Sequence, residues 1–289
     1  MPSKNPLSLI KTKFKLYWPL IKSLQTGLLL TTGLAGFLST HHAPSIPILL
    51  QVTGSLFLSI SGSTILNMWY DRDIDTVMNR THNRPLASGK VSQKEALGLG
   101  LAFSVIGVGW AMSVNLLYGL IVLAGLFFDV VVYTICLKRR TCWSIVWGGI
   151  SGGMPILAGR AVALGGIDLI GLLLALAILF WIPTHMMTFS MRYSEDYRAA
   201  QVPTFPAAYG LEATRAIIAL SAIIAAACIG VAGVMIGVQA GFLRLMVVLS
   251  AGLLLLSLAT VFRPSERINF GLFKYASVYM LASMVLLAL

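Results

Sequence analysis

Nine long runs of apolar residues restrict what this chain can fold into more than any other feature. A helix that crosses a bilayer needs about 20 mostly apolar residues, and each run is close to that length. With 57% hydrophobic and 11% charged residues, the chain has too few polar residues to cover a water-soluble core. The sequence therefore predicts a single all-α membrane domain over residues 1–289 with about nine transmembrane helices, near 17–38, 46–70, 94–113, 115–137, 144–164, 167–191, 212–237, 242–262 and 270–288.

The basic residues lie almost entirely on one side of these predicted helices. Nineteen of the 21 lysines and arginines, Lys4 and Lys11 included, fall on that side, and only Arg160 and Arg244 on the other. Positively charged loops stay in the cytoplasm, so we expect a plasma (inner) membrane protein with a cytoplasmic N-terminus and its C-terminus outside. Topology and anionic lipid or substrate account for the formal net charge of +11, and nucleic acid is not an expected partner.

Asn67, Asp71 and Asp75 follow one another at intervals of four at the end of the second predicted helix. Residues four apart share a face of a helix, so these side chains form one oxygen-rich stripe while Asp73 points elsewhere. Magnesium prefers oxygen ligands and is commonly shared between one or two carboxylates and substrate phosphates. The stripe is therefore a candidate magnesium site. The alternative is a solvated helix end whose acids pair with nearby arginines.

Two predicted cytoplasmic loops, 71–93 and 192–211, are the longest in the chain and hold or border six of its ten acidic residues. In the first loop, Arg84 follows the stripe, and guanidinium groups suit phosphate oxygens. In the second loop, Glu195 and Asp196 lie among further arginines. Acids beside arginines on one face indicate a shared pocket for a metal-bound polyanion, although topology alone could explain some of the arginines.

These segments resemble a known family. The pattern N-x-x-x-D-x-x-x-D and its continuation DRDIDTVMNRTHNRPLASGKVS, which ends at Ser92, are similar to the first motif of the UbiA superfamily of intramembrane prenyltransferases. Three further segments resemble the haem-farnesylating branch of that superfamily: YTICLKRRT at 133–141, Pro183-Thr-His185, and DYRAAQVPTFP at 196–206. The resemblance spans roughly residues 17–210.

The resemblance implies a helical bundle with a lateral opening to lipid, in which Mg²⁺ links two acidic motifs to farnesyl diphosphate. The implied reaction joins the farnesyl group to a vinyl group of haem B, with water added, to give haem O. It also implies haem A synthase or a terminal oxidase assembly complex as partners. By position, the first metal ion would be held by Asn67, Asp71 and Asp75, and the second by Asp196 with Glu195. Diphosphate contacts would come from Lys22, Arg72, Arg84, Lys138, Arg139 and Arg192.

Three residues inside predicted helices are candidates for the acceptor side of the reaction. Asp129 lies among apolar neighbours, one turn before Tyr133, and an acid within a membrane indicates either function or a specific partner. It could face the pocket, or it could bond to a neighbouring helix. His185 could bind haem iron or orient a propionate, or it could bond a backbone carbonyl freed by Pro183.

Two other functions stay open from the sequence. The segment from Gln201 to Thr204 departs from the Gly-Val-Pro-Met more usual in the haem branch, which leaves an aromatic acid, a quinone precursor or a lipid as alternative acceptors. A small-solute transporter also suits several apolar helices with few polar groups. A transporter predicts ionisable groups near the middle of the bilayer, whereas nearly all the charge here lies at one interface.

Overall fold

The structure is a computed structural model that describes residues 13–41 and 45–289 and is helical almost throughout. Lys4 and Lys11, which enter the charge count, lie outside the described residues. A short 3₁₀ turn, Trp18–Ile21, is followed by α1 (Ser23–Leu38), α2 (Ile46–Tyr70), α3 (Arg72–Val77), α4 (Gln93–Val114), α5 (Leu116–Leu137), α6 (Ser144–Leu164), α7 (Leu169–Arg192), α8 (Ser194–Ala199), α9 (Phe205–Ile236), α10 (Ala240–Phe262) and α11 (Glu266–Ala288).

Helices occur at all nine predicted positions. Seven helices of the described ranges are long and apolar enough to cross a membrane. The other two are α1, whose 16 residues extend over about 24 Å, and α6, which contains Pro155, Arg160 and five glycines. The all-α membrane architecture is therefore confirmed, while the count of nine spans stays a prediction.

The two long loop segments that the sequence singles out meet at one end of the bundle, which we call the motif end and define by residues 71–92 and 193–204. Hydrogen bonds join its parts. Lys138, after α5, bonds to Asp71 at the end of α2, and Asp196, in α8, accepts from the backbone of Asn79 in the first loop. Helices that are far apart in sequence therefore end or begin at the same place.

The predicted first helix is wrong in one respect, because it is broken at Lys22. This residue has φ 46° and ψ 60°, a left-handed conformation that costs a non-glycine residue on the order of 1 kcal/mol. The 3₁₀ turn ends there and α1 begins at Ser23. The break carries the Lys22 ammonium to α2, where its Nζ lies 3.0 Å from Asn67 Oδ1.

Glycines allow α1 to lie directly against α6. A Cβ on Gly159 would fall 1.9 Å from the carbonyl oxygen of Gly33, and one on Gly36 would fall 2.1 Å from that of Ile156. Small residues let helix backbones approach in this way within membranes. The close contact fixes α1, and with it the position of Lys22, relative to the rest of the bundle.

An ion pair fastens α6 to α7 at the opposite end from the motif end. Arg160 Nε lies 2.8 and 2.9 Å from the two oxygens of Asp168, and its Nη1 donates to the Ser39 hydroxyl at 2.9 Å. Asp168 also caps α7 by accepting from the amide of Gly171 at 2.9 Å. Arg160 is nearly buried, so its charge depends on this partner.

Candidate active site

The stripe of Asn67, Asp71 and Asp75 is buried rather than solvated. The three residues are 7%, 1% and 3% exposed, while Asp73 between them is exposed. The amide of Asp71 donates to the carbonyl of Asn67 at 3.0 Å, and that of Asp75 to Asp71 at 2.9 Å. Helical register therefore continues from α2 into α3, which keeps the stripe on one face as its spacing predicts. Such deep burial contradicts the alternative of a solvated helix end.

Each member of the stripe is matched with a cation from a different part of the chain. Lys22 bonds to Asn67, and Lys138 forms an ion pair with Asp71. Arg84 donates to both oxygens of Asp75, at 2.9 and 2.7 Å. Three of the six predicted diphosphate contacts thus lie on the predicted metal ligands themselves.

Arg139 joins the same cluster from its edge. It donates to both oxygens of Asp73, at 2.7 and 2.6 Å, and to the Tyr70 carbonyl, and it lies 3.8 Å from Asp71 Oδ1. Lys22, Arg84, Lys138 and Arg139 therefore surround three carboxylates. The surplus of positive charge, before any metal ion is counted, favours an anionic ligand.

The pKa values of charged groups at the motif end reflect this crowding. Burial, and then repulsion from Arg84 and Lys138, lowers the pKa of Lys22 to about 8. Burial also opposes the charge of Lys138, but its contacts with Tyr133 and Asp71 outweigh burial and raise its pKa. Hydrogen bonds from Arg139 lower the pKa of Asp73. Binding of a polyanion reduces the repulsion between cations that are crowded in a buried site.

The second acidic segment does meet the first. Asp196 is 7% exposed, and its two oxygens accept from the amides of Asn79 and Arg80 at 3.1 and 3.2 Å. Asp196 thereby holds the two loops together. Glu195 is exposed, so of the two acids only Asp196 points into the contact between the loops, and the metal role of both stays a prediction.

The structure separates two predicted diphosphate contacts from the stripe. Arg72 donates to the carbonyl of Trp69 at 2.8 Å and lies over its ring. Arg192 lies over the ring of Phe270, 4.0 Å from its centroid, and lines a cavity away from the aspartates. Neither arginine touches a residue of the stripe, so neither is among the groups that the fold gathers there.

The three acceptor candidates have different surroundings. Asp129 bonds to the hydroxyl of Ser63, which lies four residues before Asn67 and so extends the stripe. Tyr133 lines a narrow cavity of about 50 Å³ together with Lys138. His185 lies away from that cavity, stacked between Trp181 and Phe273 with ring centroids 4.9 and 4.5 Å away.

The second half of α5, Phe127–Leu137, is π-helical. Within it, Thr134 donates to the carbonyl of Asp129 at 2.7 Å and accepts from Asn67 Nδ2 at 2.7 Å. Thr134 and Ser63 were missed from the sequence. Ser63 could have been found by continuing the interval of four one step backwards, but no feature of the sequence marks the π-helix.

The stripe has the donors that magnesium requires. Asp71 Oδ1 is buried without a hydrogen-bond partner among the described residues, next to the oxygens of Asn67 and Asp75 on the same face. In the described ranges no three acidic, histidine or cysteine residues are grouped as a ready metal cluster. The carboxylate and amide oxygens of the stripe, rather than a cluster of that kind, are donors that fit an oxygen-preferring cation once the lysine and arginine partners leave them.

This chain is similar to known proteins in both sequence and structure. The model of the UbiA prenyltransferase family matches residues 28–282. Proteins named protoheme IX farnesyltransferase from Archaeoglobus fulgidus and Korarchaeum cryptofilum are 44% and 42% identical, over 69% and 70% of this chain and 70% and 68% of their own length. One from Mycolicibacterium smegmatis is 41% identical over 68% of this chain and 65% of its own length.

Solved structures share the fold at low identity. A digeranylgeranylglyceryl phosphate synthase has a TM-score of 0.79 at 17% identity, with 96% of this chain and 98% of that one covered. A UbiA homolog from Archaeoglobus fulgidus, bound to GPP and Mg²⁺, has a TM-score of 0.69 at 16% identity, with 95% and 100% covered. Together with the family match and the relatives of more than 40% identity, these structures lead to one conclusion. This chain belongs to the UbiA prenyltransferase family.

Proposed function

We propose that this chain transfers the farnesyl group of farnesyl diphosphate to a vinyl group of haem B and so forms haem O. The buried stripe of Asn67, Asp71 and Asp75 with its cations carries this proposal, because it suits a metal-bound diphosphate. The acceptor is taken from the relatives named protoheme IX farnesyltransferase.

Asn67, Asp71 and Asp75 would hold Mg²⁺, and Asp196 would contribute from the second loop. When bound, the metal supplies a Lewis acid that screens the diphosphate and stabilises it as a leaving group. The neighbouring cations Lys22, Arg84, Lys138 and Arg139 would then leave the carboxylates and contact the diphosphate oxygens. Charge-assisted bonds of this kind strengthen as charge develops on the leaving group.

Transfer begins when the allylic carbon–oxygen bond breaks and diphosphate departs with the electron pair. The vinyl group of haem B then donates its electrons to the farnesyl cation. Water adds to the cation that is left on the acceptor and releases a proton, so the products are haem O, diphosphate and a proton. Asp129 and Tyr133 both lie in α5, where Asp129 bonds to Ser63 of α2 and Tyr133 lines a cavity with Lys138. We assign them to the side of the site where the acceptor meets the farnesyl cation.

The charge distribution supports a proposal for the location in the cell. We propose a plasma (inner) membrane location with the motif end and the N-terminus in the cytoplasm, since the loops at the motif end carry most of the lysines and arginines. Residues 1–289 would act as one domain, with haem A synthase or a terminal oxidase assembly complex as a partner that takes up the product.

Product mass tests the proposal. Membranes containing the protein are incubated with haem B, farnesyl diphosphate and Mg²⁺, and the molecular mass of the extracted haem is measured by mass spectrometry. We expect haem carrying one hydroxyethylfarnesyl group. Prenylation of a phenolic acid, a quinone precursor or a glycerol phosphate lipid, with haem B unchanged, would refute the assignment of the acceptor while leaving a prenyltransferase. Uptake of a solute into liposomes without any release of diphosphate would refute both.

A further inference from the structure

A second cavity, of about 410 Å³, opens at the motif end where α7, α9 and α11 meet. Its lining includes Arg192 and Tyr193 at the end of α7, Arg215 in α9, and Glu266 and Asn269 in α11. None of these residues belongs to the stripe or pairs with it. The cavity is therefore a separate place for a ligand.

A buried polar group in this cavity has no partner. Asn269 is 8% exposed and donates from Nδ2 to the Thr188 carbonyl at 3.1 Å, which fixes its amide orientation. Its Oδ1 lies buried without a hydrogen bond among the residues that the structure describes. An unsatisfied buried acceptor is unfavourable and needs a donor. A water molecule bound between it and an anionic group would supply that donor, so the cavity suits a hydrated polar group rather than a lipid tail.

The positive charge of the cavity comes from two arginines. Arg192 is held over the Phe270 ring at 4.0 Å, and Arg215 is half-buried on the facing helix. Planar guanidinium groups bind carboxylates in a bidentate manner. Glu266 offsets part of the positive charge of the two arginines. The small remaining charge favours a ligand with one or two singly charged groups over a diphosphate.

Flat aromatic side chains continue from the cavity into the bundle. Phe270 stacks on Phe273 at 5.9 Å, and Phe273 stacks on His185 at 4.5 Å. On the other side, the guanidinium of Arg80 lies over the Tyr193 ring at 5.6 Å, while the Arg80 amide bonds to Asp196. The cavity thus lies between a set of rings and the loop contact of the active site.

We propose that this cavity binds the carboxylate side chains of the prenyl acceptor, with Arg192 and Arg215 as their partners. The inference rests on the proposed function, because haem B combines a flat ring with two carboxylates at one edge. The cavity of about 410 Å³ would receive that edge. The same arginines would suit the phosphate of an anionic lipid, so the test separates these two sources of anionic oxygen.

Binding of haem B and of its dimethyl ester, measured by quenching of tryptophan fluorescence in nanodiscs, tests the proposal. The wild-type protein should prefer the free acid. Arg215→Gln should bind haem B about tenfold to a hundredfold more weakly and should no longer distinguish it from the ester. Arg215→Lys should keep part of the preference. Arg267→Gln, an exposed change on α11 outside the cavity, is the matched control and should behave as wild type.

The outcomes are distinct. Farnesyl diphosphate binding with Mg²⁺ should be unchanged in Arg215→Gln, since Arg215 does not touch the stripe. The inference is overturned if Arg215→Gln retains the preference for the free acid, or if it loses only bound phosphatidylglycerol, which would make the cavity a lipid site. Haem O formation by a wild-type protein that binds acid and ester equally would overturn this inference alone. A wild-type protein that neither binds haem B nor prenylates it would overturn the proposed function as well.

Discussion

Asparagine in place of Asp71 changes one oxygen to nitrogen at the centre of the stripe and so isolates the role of its charge. Asp71 is 1% exposed, pairs with Lys138, and presents an Oδ1 without a hydrogen bond among the described residues. If Asp71 is a charged ligand of the proposed metal and also positions Lys138, its loss should remove several kcal/mol of stabilisation from the transition state. A loss of about 4 kcal/mol corresponds to roughly a thousandfold lower kcat, since about 1.36 kcal/mol is tenfold in rate.

Asp73→Asn is the matched control, because Asp73 is two residues away in the same segment but off the stripe. It pairs with Arg139 while exposed, and an exposed pair is worth about 1 kcal/mol or less, so diphosphate release should stay within about fivefold of wild type. The assay is release of diphosphate from farnesyl diphosphate with haem B at saturating Mg²⁺, alongside thermal unfolding to confirm folding. If Asp71→Asn keeps more than a tenth of wild-type kcat, or if the two variants lose equally, the metal assignment is wrong.

Three further outcomes are expected. Mg²⁺ alone should raise the Tm little, because lysines and arginines occupy the carboxylates until an anion draws them away. Mg²⁺ with farnesyl diphosphate should raise the Tm clearly. A full shift of the Tm with Mg²⁺ alone would contradict this exchange. Lys22→Ala should raise the KM for farnesyl diphosphate about tenfold or more with a smaller change in kcat, as steady-state kinetics would show; an unchanged KM would exclude Lys22 from the diphosphate site. Asp168→Ala should lower the free energy of unfolding by about 2–4 kcal/mol, because it leaves the charge of buried Arg160 without an acidic partner, yet kcat per folded molecule should be unchanged. An equal Tm for variant and wild type would argue against the ion pair.

The periodicity of the sequence was enough to predict most of the architecture. Apolar runs located the long helices, and the interval of four in Asn67, Asp71 and Asp75 placed three side chains on one face because α2 and α3 keep helical register across Asp71. The pairing of the two loops was also predicted, and Asp196 makes it by bonding to the backbone of Asn79 and Arg80. These features depend on repeats within helices or on charge, which a sequence displays directly.

The sequence could not show which arginines reach the stripe. From spacing, Arg72 and Arg84 are equally plausible partners of the stripe. In the structure Arg72 donates to the carbonyl of Trp69, while Arg84 forms an ion pair with Asp75. Arg192 and His185 both lie in α7 and face α11 rather than α5. Which face of α7 meets which neighbour is decided by packing among three helices, and a single apolar helix in a membrane gives no amphipathic signal of it.

The cations of the stripe come from irregular backbone, and their charges explain how the carboxylates can be buried. Lys22 follows a left-handed break. Lys138 ends a π-helical turn, in which its amide donates to the Tyr133 carbonyl at 2.8 Å. Compared with an α-helical turn, this adds about one residue and rotates the Lys138 side chain by roughly a quarter of a turn. A carboxylate buried in a membrane bundle without a partner would be strongly destabilising. Lysine and arginine partners solve that problem, and in the proposed reaction metal and diphosphate would take their place.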